Sequence, residues 1–300
     1  MRAMSALPTL TPRQLWTLLA LTLVWGLNWP IMKLGLNDFP TWSFRALSMW
    51  LALPIMAALV LWRGFSFRIP RAQWSELLQL SVFNMLIWHT LAMLAIAALP
   101  SGRAAILGYT MPVFSALLGA WWFGQRLAPR AWGGVAAATV GGGLLLWHEF
   151  TQFSGQPLAV LLILLAALCW AWGTQRMRNT TMTAPILTIT FWMILLTAVW
   201  LSLLAALTEA PQWHAPSPHV WGAVLYNAVG VFAFAQVAWL GMARDLPPVA
   251  STLSVMFIPV IGVFSGALWL GEVLYWQDWT AVALIALAIA TVLWPARPAS

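Results

Sequence analysis

Long apolar runs alternate with short clusters of proline, glycine and charge along the whole chain. Broken at those clusters, the sequence gives apolar stretches at 14–34, 42–62, 74–97, 102–123, 130–147, 157–178, 184–207, 219–242, 248–270 and 277–294. These lengths cluster around the roughly 20 residues that a helix needs to cross a bilayer core. Backbone in hydrocarbon must satisfy its own hydrogen bonds, so runs of this kind read as helices. The pattern predicts an all-α, polytopic membrane protein with ten transmembrane helices. The loops between them are short, and the longest, Glu209 to Pro218, has no room for a separate soluble domain. Met1 to Arg13 is polar and runs into the first of many spans, so no cleaved signal peptide is expected.

The halves of the chain match each other at a fixed offset of 147 residues. Trp25-Gly26 aligns with Trp172-Gly173, Pro100 with Pro247, Pro112 with Pro259, Gly119 with Gly266, and Trp132 with Trp279. An odd number of spans per half turns the second half upside down relative to the first, which is the inverted repeat of many secondary transporters. The expected domains are therefore a five-helix repeat over 14–147 and an inverted one over 157–294.

Composition supports the membrane reading, with 62% hydrophobic and only 7% charged residues. The net charge of +7 would suit nucleic acid on a soluble domain, but here the basic residues flank apolar spans. No nucleic-acid partner is expected. With the N-terminus in the cytoplasm, only Lys33, Arg45 and Arg103 of the 14 basic residues fall at outer ends. The positive-inside rule then puts both termini in the cytoplasm. The single cysteine, Cys169, cannot form an intrachain disulfide and reads as a packing residue.

Trp25-Gly26-Leu27-Asn28 running into Lys33 resembles the first span of the drug/metabolite transporter superfamily, in its ten-span type with two EamA-like domains. Pro112 with Gly124-Gln125-Arg126-Leu127, repeated as Pro259 with Gly271-Glu272-Val273-Leu274, carries the same resemblance over essentially the whole chain. The 23 tryptophans and the sparse charge make the sequence most similar to the bacterial aromatic amino acid exporters. The resemblance implies a multi-pass protein of the bacterial inner membrane, with amino acids as small-molecule substrates.

Polar side chains are costly in hydrocarbon and turn toward a cavity or a partner helix. Those at mid-span depth are Asn28, Asn84, His89, Tyr109, Thr110, Gln175, Asn227, Gln236, Ser251, Thr252 and Ser254. The 147 offset pairs Asn28 with Gln175 and His89 with Gln236, near the repeat axis where substrate sites of such transporters lie. At about 100° per residue, Ser81, Asn84, Met85, Trp88, His89 and Ala92 share one face of the third span. Trp25, Trp88, Trp170 and Trp172 lie near mid-span and could offer flat apolar faces to an aromatic substrate. The expected substrate-binding set is Trp25, Asn28, Asn84, Trp88, His89, Tyr109, Trp172, Gln175, Asn227 and Gln236. For each, interhelical bonding or packing is the plainer reading.

Pro112 and Pro259 should kink the fourth and ninth spans, and Gly26 and Gly173 should allow close helix approach; together these are the expected gating positions. Lys33 reads as snorkelling to the interface, or else as a contact for a substrate carboxylate. Most other tryptophans sit at span ends, where their amphipathic rings anchor in the interface. No metal or cofactor is expected, because His148, His214 and His219 lie at span ends and no mid-span histidine pair exists. No nucleophile–base pair suggests an enzyme.

All seven acidic residues map to span ends or loops. Carboxylates are the usual proton carriers of coupled exporters. Their absence at depth points to facilitated alternating access, with His89 the one mid-span group able to change charge near neutral pH. The leading expectation is export of aromatic and other neutral amino acids. The alternative is efflux of small hydrophobic drugs or metabolites, with proton coupling.

Overall fold

A computed structural model describes residues 11–124, 129–151, 155–245 and 257–293, and every regular element among them is helical. Helix α1 (Pro12–Leu36) starts with a capping box: Gln14 N–H donates to Thr11 Oγ1 at 3.3 Å, and Thr11 N–H donates to Gln14 Oε1 at 2.9 Å. Helices α2 (Thr41–Trp62), α4 (Ser101–Trp122) and α7 (Ile186–Thr208) each begin directly after an extended proline, Pro40, Pro100 and Pro185. Between them run α3 (Arg71–Ala98), α5 (Pro129–Thr151) and α6 (Pro157–Arg178). The second half ends with α8 (Pro218 to Asp245), α9 (Phe257–Leu270) and α10 (Trp276–Leu293).

Seven of these helices, α1 to α4 and α6 to α8, are long and apolar enough to cross a bilayer, and α9 and α10 are shorter apolar helices. Their outward faces carry bulky apolar residues such as Leu61, Leu207 and Leu268, as expected of a surface in contact with lipid. Trp16, Trp62, Trp121, Trp122, Trp147 and Trp276 project outward at helix ends. Trp294 lies outside the described residues.

Helix α2 packs along α7, α5 along α10, α1 along α8 and α9, and α6 along α3 and α4. Glycine sets two of these crossings. A Cβ on Gly26 would lie 2.6 Å from Ile261 Cγ2, and one on Gly173 would lie 2.8 Å from the backbone nitrogen of Asn84. Gly124 and Gly271, 147 residues apart, follow α4 and α9 with φ of +64° and +66°, a left-handed turn that a Cβ would strain.

Two helices depart from α geometry in the middle. Helix α3 holds a π turn at Val82–Leu86, and α8 holds a longer one at Tyr226–Gln236. Shifted by 147, the first falls inside the second. A π turn rotates everything beyond it relative to an α-helix. The face expected from Ser81 to Ala92 is buried throughout apart from half-buried Trp88, but the turn splits it: Asn84 faces α6, while Trp88, His89 and Ala92 face a cavity.

At Pro112 the fourth span is broken rather than gently kinked. The helix stops at Gly108, turns through Tyr109 and Thr110, and restarts at Met111 with Pro112 in its first turn. Proline removes a donor and its ring crowds the carbonyl four residues back, which is Gly108. Thr110 Oγ1 donates to Leu107 O at 2.7 Å and satisfies one carbonyl at the break. Pro259 lies in the first turn of the described part of α9.

Candidate functional site

A partly open cavity lies between α1, α2, α3, α4, α6 and α8. It runs from the middle of the bundle toward the end that carries Asp38, since its α1 residues extend from Trp25 to Met32. The aromatic side is made of indoles in mutual contact. Trp170 meets Trp88 at 5.2 Å and Trp25 at 6.4 Å between ring centroids, and Trp29 meets Tyr109 at 6.2 Å, all near edge-to-face.

The polar side holds atoms without hydrogen-bond partners among the described residues: Asn28 Oδ1, His89 Nε2 and Gln236 Nε2, all buried. Most buried polar atoms in proteins are partnered, so three unpartnered ones around one cavity make it the candidate site. Pro30, inside α1, also leaves the carbonyl of Gly26 without its helical donor.

Arg45 lines the same cavity and is 2% exposed. Sequence reasoning set it at a span end; the structure turns its guanidinium into the bundle, one turn inside α2. Nη1 donates to Asn227 Oδ1 at 2.8 Å, Nε donates to Met93 Sδ at 3.1 Å, and Nη2 donates to Met93 Sδ and Met32 Sδ. Its carbon Cζ lies 5.4 Å from the centre of the Phe232 ring. A signal was present: Thr41, Trp42, Ser48 and Met49, one turn away on either side, include no acid to pair with it.

Six of the expected site residues line the cavity: Trp25, Asn28, Trp88, His89, Tyr109 and Gln236. Asn227 reaches it through Arg45, and its Nδ2 is anchored to Ala223 O at 2.9 Å. The remaining three lie elsewhere. Asn84 Nδ2 donates across the α3–α6 contact to Trp170 O and Thr174 Oγ1, both at 3.4 Å. Gln175 Nε2 donates to Ser115 O at 2.6 Å and Ser115 Oγ at 3.0 Å, tying α6 to α4. Trp172 packs against Trp122 at 5.6 Å and Phe123 at 5.7 Å, beside the end of α4. Ser251, Thr252 and Ser254 lie outside the described residues.

Both ends of the bundle are tied by polar contacts between the halves of the chain. At the Asp38 end, Glu209 caps α2 by accepting from Trp42 N and Ser43 N, each at 2.8 Å, and Glu272 caps α4 by accepting from Ser101 N and Gly102 N. Carboxylates suit these positions because the first N–H groups of a helix have no internal partner. Arg103 and Asp278 form a buried ion pair at 2.8 Å. Lys33 Nζ donates to Ile96 O and Ala97 O, at the carbonyl end of α3. His214 bridges Gln212 O and Asp38 O through its two ring nitrogens, and those acceptors raise its pKa above the usual 6.5. At the opposite end, Glu76 accepts from Thr180 and Thr181, and Arg176 donates to Gln79 at 3.0 Å. The described carboxylate side chains thus sit at helix ends, away from the cavity.

The chain is 26% identical over 291 residues to an uncharacterized inner membrane transporter of Escherichia coli strain K12, YedA, covering 94% of this chain and 92% of that one. It is 24% identical over 258 residues to an uncharacterized transporter of Bacillus subtilis strain 168, YoaV, covering 85% and 88%. A probable amino-acid metabolite efflux pump of Salmonella typhimurium strain LT2 is 26% identical over 286 residues, covering 89% and 90%. One crystal structure superimposes with a TM-score of 0.70 at 21% identity over 93% of this chain and 97% of that chain, a likeness of fold. The sequence profile of the EamA-like transporter family matches residues 13–147 and again 157–294. The apolar helices and these matches give one conclusion: the chain is a multi-pass membrane protein that belongs to the EamA-like transporter family.

Proposed function

We propose that this transporter exports aromatic and other neutral amino acids by alternating access, with the tryptophan-lined cavity as its substrate site. The observation that carries the reading is the pairing, around one cavity, of an indole wall with unpartnered Asn28 Oδ1, His89 Nε2 and Gln236 Nε2. An amino acid offers a matching apolar side chain and a polar head. Efflux of amino-acid metabolites in the name of a full-length relative agrees with that chemistry.

In this reading the chain is two inverted five-helix repeats, 14–147 and 157–294, in the bacterial inner membrane, with both termini cytoplasmic. Access alternates as the polar ties at one end open while those at the other close, with the break before Pro112 and the repeat-related Pro259 as pivots. The Gly26 and Gly173 crossings keep the moving helices in register. Movement is facilitative, because the described carboxylates lie in end contacts and not in the cavity.

The test is efflux of labelled phenylalanine from proteoliposomes, beside labelled methyl viologen, with and without a pH gradient. Phenylalanine moving down its own gradient, unaffected by pH, is the expected result. Selective movement of methyl viologen, or uphill movement driven by protons alone, would favour the competing reading of proton-coupled drug or metabolite efflux.

A further inference from the structure

We infer that Arg45 makes the cavity selective for substrates that carry a carboxylate, the guanidinium taking that group while the indoles take the apolar remainder. The inference rests on the cavity being the substrate site, and narrows what enters it. Arg45 is buried to 2% exposure, and its described partners are an amide oxygen, two thioether sulfurs and aromatic faces. None of these is an anion. Sulfur is a weak acceptor, and a methionine side chain repacks easily, so Met32 and Met93 are partners that an oxyanion would displace.

A buried cation without a counter-charge is costly to maintain in a protein interior. Arginine is retained where a planar, two-pronged donor is needed, and a carboxylate is its best geometric match. Asn227 presets the guanidinium, because its own Nδ2 is anchored on Ala223 O and its Oδ1 faces Arg45. Gln236 Nε2 is a further unpartnered donor in the same cavity, suited to the same anion. Asn28 Oδ1 is an unpartnered acceptor, suited to an ammonium group. The set therefore fits an α-amino acid, and the uncompensated positive charge opposes an amine that lacks the carboxylate.

The test uses the full-length protein in proteoliposomes, loaded for counterflow of labelled phenylalanine, with 3-phenylpropionate, phenethylamine and phenylalaninamide as competitors. Binding of the same compounds is followed separately by intrinsic tryptophan fluorescence in detergent. Phenylpropionate should compete at least ~10-fold better than either amine, the scale of a hydrogen bond to a charged group. Arg45→Gln should abolish that preference, and Arg45→Lys should restore part of it. If Arg45→Gln fails to elute as a monodisperse peak, the wild-type competitor series decides. Phenylalanine transport with amines competing as well as phenylpropionate overturns the role of Arg45 and leaves amino-acid export standing. Carboxylates bound over amines without phenylalanine transport would do the reverse, and absence of binding by any of the four sinks both.

Discussion

Replacing Gly173 with alanine adds one methyl group where two helices touch. Its Cβ would lie 2.7 Å from Asn84 Cβ, 2.8 Å from Asn84 N and 3.0 Å from Asn84 Cα, all inside the 3.4 Å where ordinary contact begins. These are backbone or backbone-linked atoms with no rotamer to retreat to, so α6 and α3 must move apart by about half an ångström or more. Overpacking of this kind costs about 1–3 kcal/mol. The separation also stretches the two Asn84 bonds, each already 3.4 Å long, at about 1 kcal/mol together. Alanine returns about 1 kcal/mol of helix propensity, which leaves a net loss of about 1–3 kcal/mol. Gly143, inside α5, has nothing within 4 Å of its added Cβ, so Gly143→Ala should gain about 0.5–1 kcal/mol from propensity alone. Thermal unfolding in detergent, followed by size-exclusion chromatography, reads both variants on one preparation. A Gly173→Ala protein as stable as wild type, or the same sign of shift for the two variants, would refute the close crossing.

Asp278→Asn leaves Arg103 buried beside a neutral group, and breaking a buried pair in this way should lower stability by about 3–5 kcal/mol in the same unfolding assay. Glu272→Ala should cost about 1–2 kcal/mol by uncapping α4, with Glu272→Gln losing less because its single amide oxygen still accepts from one of the two N–H groups, Ser101 or Gly102. His214 should titrate above 6.5 in an NMR pH series, since both of its contacts are to carbonyl oxygens and only the protonated ring can donate twice. The sign follows: its contribution is full below the unfolded value and fades as pH rises through the raised folded value, so His214→Gln should flatten that part of a stability–pH curve.

The helices were legible because lipid imposes one rule on every span: long, apolar and closed by its own hydrogen bonds. The repetition of Gly124 at Gly271 was legible, but the left-handed turn that both make shows only in the backbone. Residues facing the cavity were readable where type and depth agreed, as at Asn28, His89 and Gln236. Asn84 and Gln175 have the same type and depth, yet each ties α6 to a neighbour, and only partner geometry separates the two cases. The π turns were hidden because they change the angular step without changing composition. Arg45 was misplaced for a related reason: a charge near a span end normally snorkels outward, and its inward turn depends on Asn227, 182 residues away.

The central claim, that the tryptophan-lined cavity receives the substrate, is tested most directly by diffraction from crystals grown with 4-bromophenylalanine. The bromine gives an anomalous signal that needs no assumption about the ligand's pose. The account predicts one strong peak among Trp25, Trp88 and Trp170, with the carboxylate in contact with Arg45. A peak elsewhere in the bundle, in a protein that still transports phenylalanine, would contradict it.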